Sequence, residues 1–91
     1  MADLSTHELI PGVTLPPVVH GRLRQLLAQM SVADTIVNTL LAQERAEGMV
    51  ECLELLKELD AEKIERLYLL IGHTAAQRFS EIESLANPSP N

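Results

Sequence analysis

"DAEKIERLYLLIGHTAAQRFSEIESLA", residues 60–86, decides the fold class of this chain. Taken at about 100° per residue, Ile64, Leu67, Tyr68, Ile71, Ala75, Phe79, Ile82 and Leu85 share one side. Glu62, Glu65, Arg66, Gln77, Ser80 and Glu81 occupy the other. That division predicts an amphipathic helix over 61–86, roughly 39 Å long at the usual rise per residue. Asp60 is a good N-cap, Glu62 lies in the first turn where the helix dipole favours an acid, and "NPSPN" stops the helix.

Inside it, "LYLLIGHT" (67–74) is apolar nearly all the way round, because Leu69 and Leu70 fall with the polar group and His73 lies almost opposite Ile64. Such a stretch is normally covered on both sides. A chain this short can hardly supply the second cover, so the sequence predicts a homodimer meeting at Leu69, Leu70, Gly72 and His73. Gly72 would let a second backbone approach closely. His73 has no Cys or His at helical spacing and so reads as an interface histidine, not a ligand or general base. His7 and His20 stand far off, in or near the N-terminal segment.

Upstream, Val19, Leu23, Leu26, Leu27, Met30, Ala33, Val37, Leu40 and Leu41 recur at three- and four-residue spacing in a helix opened by Thr14 or by Pro16–Pro17. The stripe predicts a helix over about 17–46, with Ser31 and Asp34 as a candidate capping box that would break it. Met49, Cys52, Leu53, Leu56 and Leu59 then form a stripe displaced by roughly 160° from the first. The slip falls in "QERAEG", so the sequence favours a turn or kink at Gly48 and a separate helix over 48–59. The fold expected is all-α: three or four helices in a small antiparallel bundle, with the short loop at Asp60 joining antiparallel neighbours.

Residues 1–16, "MADLSTHELIPGVTLP", hold two prolines and a glycine, which exclude a helix through them. Leu4, Leu9, Ile10, Val13 and Leu15 are nevertheless apolar, so we read an extended arm lying on the helices or on a partner chain. The organisation is an arm (1–16), one helical domain (17–86) and a disordered tail (87–91).

At 91 residues a single domain buries only about 60–65% of its unfolded surface, so its core is marginal. Apolar residues make up 46% of the chain, yet its aromatics are Tyr68 and Phe79 alone. The core must therefore be aliphatic. One cysteine, Cys52, excludes an internal disulfide or a Cys-based zinc finger. It sits on an apolar stripe between Glu51 and Glu54, whose charges oppose a thiolate, and reads as a buried small hydrophobe. No apolar run approaches the ~20 residues of a membrane span, and the start lacks signal-peptide character, which points to the cytoplasm.

Thirteen acids against seven bases give a formal charge of −6, poor for phosphate contacts and suited to a basic protein surface. Glu47, Glu51, Glu54, Glu58 and Glu62 form the candidate partner-binding acidic face. "LLAQMSVADTIVNTLL" (26–41) has the rhythm of a helix-turn-helix with a reading helix near 32–42 and Val32, Val37, Leu40 and Leu41 buried. Its reading face, Ala33, Asp34, Thr35, Asn38 and Thr39, carries an acid and no base, and Arg22, Arg24 and Arg45 are the nearby cations. A dimeric DNA-binding regulator is therefore the alternative, with nucleic acid the weaker partner. No phosphate loop, nucleophile elbow or Ser–His–Asp set is present, so neither catalysis nor a cofactor or metal is expected. The reading is a small acidic helical interaction module: a regulator, adaptor or inhibitor.

Overall fold

A computed structural model describes residues 8–86. A hairpin of β1 (Glu8–Ile10) and β2 (Val13–Thr14) precedes α1 (Pro17–Val32), α2 (Ile36–Leu55) and α3 (Ala61–Ala86). The expected all-α bundle is present, with each helix packed on the other two. Residues 1–7, with Leu4 and His7, and the tail 87–91 lie outside the described residues.

From Glu8 onward the expected extended arm is present, folded as a hairpin. Pro11–Gly12 makes its turn, with Gly12 at φ +85° as a Pro-Gly type II turn requires. Ile10 pairs with Val13, and Glu8 with Thr14 across a bulge. The Glu8 carboxylate accepts from the Gly12 N–H at 3.0 Å. Arg66 on α3 donates to the Pro11 carbonyl. This closes the hairpin onto the bundle and drives Val13 and Leu15 fully into the core.

Pro17 takes the first position of α1, where its missing N–H costs nothing. Leu23, Leu26 and Met30 are its core residues, and His20 is also buried. The chain then breaks at Ala33–Thr35, so neither a helix running to 46 nor a new start at Ser31 occurs. Ser31 stays in the last turn of α1, its hydroxyl donating to the Leu27 carbonyl at 3.0 Å. Thr35 is the N-cap of α2, accepting from the Asn38 N–H at 3.0 Å. Threonine, three residues before a backbone donor, outcompetes Ser31 because Ser31 finds its acceptor inside the helix it already occupies.

α2 runs straight through Gly48, which corrects the expected turn there and the expected 48–59 helix. A single glycine inside a helix is a modest cost, not a stop. The stop lies at Leu53–Glu58: Glu58 N–H donates to Leu53 and Lys57 N–H to Glu54, both at 3.0 Å. With Lys57 left-handed at φ 57°, this is a Schellman closure using lysine where glycine is commoner. Asp60 then caps α3, its carboxylate accepting from the Lys63 N–H at 3.0 Å.

Three contacts set the directions. Pro11 meets Arg66, Ala33 meets Arg78, and Tyr68 lies beside Glu54. α1 and α3 therefore run the same way, and α2 returns between them. α3 buries Ile64, Leu67, Ile71 and Ala75, with Tyr68 and Phe79 packed at the margin. Leu85, expected on the core face, is 75% exposed because α3 outruns both shorter helices.

Candidate functional site

α2 inverts the usual distribution of side-chain size. Its buried residues are Thr39, Ala42, Ala46, Val50 and Leu53, mostly small. Its larger aliphatics Ile36, Val37, Leu40 and Leu41 are open to solvent, as are Leu55 and Leu56 at the far end. The reason is its place in the bundle. A helix with neighbours on two flanks comes close to both only if its inner face is thin. The expected burial of Val37, Leu40, Leu41, Cys52 and Leu56 is thereby overturned. Cys52 in particular is exposed.

The outer face divides along its length. In the first half, Val37 is 64% exposed and Leu41 48%, with Val32, the last residue of α1, 71% exposed beside the break. In the second half, Glu44, Glu47, Glu51 and Glu54 follow at three- and four-residue spacing, which puts them in one row. Among the described residues the ion pairs are Lys63–Asp60 and Arg78–Glu81, and neither takes a member of this row.

The charges in the row act on one another and on α3. Partial burial, then the hydrogen bond and charge of Glu44, raise the Glu47 carboxyl above 4.5, opposed by Gln43, whose amide donates to it at 3.3 Å. Burial, then the charges of Glu54, Glu51 and Glu47, raise the Tyr68 hydroxyl above 10.0. The phenol of α3 thus lies within reach of the charges of an anionic strip on α2. Tyr68 and Glu44 belong to this site, and the sequence reading left both out. Glu44 was recoverable from its spacing to Glu47 and Glu51, whereas Tyr68 needed the α2–α3 contact.

The other anticipated residues are scattered. Glu58 follows the end of α2, and Glu62 stands exposed in the first turn of α3. On α3, Leu69 is 54% exposed and His73 is also open, at a shallow cleft shared with Ser31 and Arg78. Leu70 is half-buried on the flank of Arg66 and Thr74, and Gly72 half-buried on the flank of Tyr68. The four span about 160° of the helix. A Cβ at Gly72 would meet nothing within 4 Å.

The helix-turn-helix reading required Val32, Val37, Leu40 and Leu41 inside and Thr39 outside. The structure reverses this: Thr39 is fully buried, its hydroxyl donating to the Thr35 carbonyl at 2.8 Å. Among the described residues no three His, Cys, Asp or Glu side chains gather as a metal site, and no helix is long and apolar enough to cross a membrane. No family model matches the chain, and neither does any curated protein or solved structure.

Proposed function

We propose that the protein is a protein–protein interaction module, a regulator, adaptor or inhibitor, that acts by occupying a basic surface of another protein. Such a surface includes one that otherwise takes nucleic acid. The observation that carries this reading is the row Glu44, Glu47, Glu51 and Glu54, which has no ion-pair partner among the described residues. Four carboxylates at helical spacing repel one another, and a cationic partner relieves that repulsion on contact.

Affinity capture with two baits tests the reading: the parent chain, and a variant carrying Glu47→Lys, Glu51→Lys and Glu54→Lys. The parent should retain proteins with Lys/Arg-rich surfaces that the variant releases, and retention should weaken as salt rises. Identical retention by both baits would refute a role for the row. Pairing of two copies through the open α3 residues Leu69 and His73 is a separate proposal. Light scattering on a Leu69→Glu variant decides it and leaves α2 untouched.

A further inference from the structure

We infer that the outer face of α2 seats one amphipathic helix of the partner, apolar along one half and Lys/Arg-bearing along the other. This rests on the interaction-module reading and specifies its ligand. Val32, Ile36, Val37, Leu40 and Leu41 lie together where α1 passes into α2 and are each more than 40% exposed. An exposed apolar patch of this kind on a monomer is often functional. The acidic row continues along the same helix, so apolar and anionic halves follow one another in a line. From Ile36 to Glu54 that line is about 27 Å long, the reach of a partner helix of about 18–20 residues.

Symmetry and charge choose the occupant. In an antiparallel twofold pair of α2 helices the acidic half of one copy would lie against the apolar half of the other, or beyond its end, and the carboxylates would gain no cation. A parallel pair would stack Glu44 and Glu51 near their mates. Neither arrangement brings a cation to the row, and a second copy is a poor cover for this face. Phosphate backbones and anionic lipid surfaces meet the same repulsion. A helix that lays Leu, Ile or Met on Val37, Leu40 and Leu41 and aligns Lys or Arg with Glu44, Glu47, Glu51 and Glu54 satisfies both halves together. This is the helix-in-groove mode with a charged extension.

The probe is a fluorescein-labelled synthetic helix of about 20 residues. It carries Leu at i, i+3, i+4 and i+7 in one half and Arg at that spacing in the other. A control of the same composition interleaves Leu and Arg. Anisotropy titration of the parent protein should show the block peptide binding at least about tenfold tighter than the interleaved one. Leu41→Ser and Val37→Ser, each checked for retained helicity by circular dichroism, should weaken the block peptide by about tenfold. Leu69→Ser on α3 should not. Equal affinity for both peptides, with Leu41→Ser and Val37→Ser neutral, would overturn the helix seat while leaving the basic-surface reading standing. No binding of either peptide even near 50 mM salt, where charge contacts remain strong, would overturn both. A parent that scatters as a dimer and becomes monomeric on Leu41→Ser would show a second copy on the face and overturn the proposal.

Discussion

The guanidinium of Arg78 on α3 donates its Nε–H to the main-chain carbonyl of Ala33 at 2.8 Å, while its Nη1 holds Glu81 at 3.0 Å. One side chain thereby ties the α1–α2 break to the third helix. Arg78→Ala should cost about 1.5–3 kcal/mol, the worth of a hydrogen bond to a charged group. That corresponds to ~4–8 °C in thermal midpoint per kcal/mol for a domain of this size. Arg78→Lys should recover only part, because a lysine lacks the rigid fork that serves both acceptors. Equal midpoints for parent and Arg78→Ala would show that the break holds without this contact.

The inverted sizes along α2 predict inverted mutational costs. Ala46 is fully buried, so Ala46→Leu should overpack the contact with α1 and α3 and cost about 1–3 kcal/mol. Leu41→Ala removes a larger side chain from the exposed face and should change stability by no more than about 0.5 kcal/mol. Urea denaturation of the two variants measures both. The opposite order would place the core on the other side of α2.

Gly48 and Lys57 test where α2 ends. A Cβ at Gly48 would meet nothing within 4 Å, so Gly48→Ala should stabilise by about 1 kcal/mol. Lys57 is left-handed, so Lys57→Gly should also stabilise, by up to about 1 kcal/mol. A chain that turned at Gly48 would instead be weakened by the alanine. Thermal melts at one protein concentration separate these outcomes.

Tyr68 is the chain's single tyrosine, so its phenolate absorbance reports its burial together with the charge of the acidic row. Its titration midpoint should lie above 10.0, and Glu54→Gln should move it down toward that value. Because the folded protein holds the neutral phenol more firmly than the unfolded chain does, stability should fall as pH rises beyond 10.0. A midpoint at or below 10.0 in the folded protein would separate Tyr68 from the glutamates.

Cys52 is exposed on the outer side of α2. A thiol reagent such as dithionitrobenzoate should therefore modify the chain's one cysteine fully without denaturant. Protection until the chain is unfolded would return Cys52 to the interior.

Much of this fold is written in local chemistry. The period of residues 61–86, the cap at Asp60, Pro17 in the first turn of α1 and the apolar character of the hairpin residues act through near neighbours, and periodicity reads them correctly. The hairpin itself is legible as well, since "LIPGVTL" places a Pro-Gly turn between apolar runs, although a helix break by proline does not by itself show the pairing. Tertiary structure alone decided the rest. Periodicity groups apolar residues on a face without saying which of two apolar faces is inside. For α2 that choice followed from the need to fit between α1 and α3, so Ala42 and Ala46 went in and Val37, Leu40 and Leu41 stayed out. The site is a product of the same choice: packing that required a thin inner face left the bulky aliphatics in line with the glutamates, and the α2–α3 contact brought Tyr68 beside them.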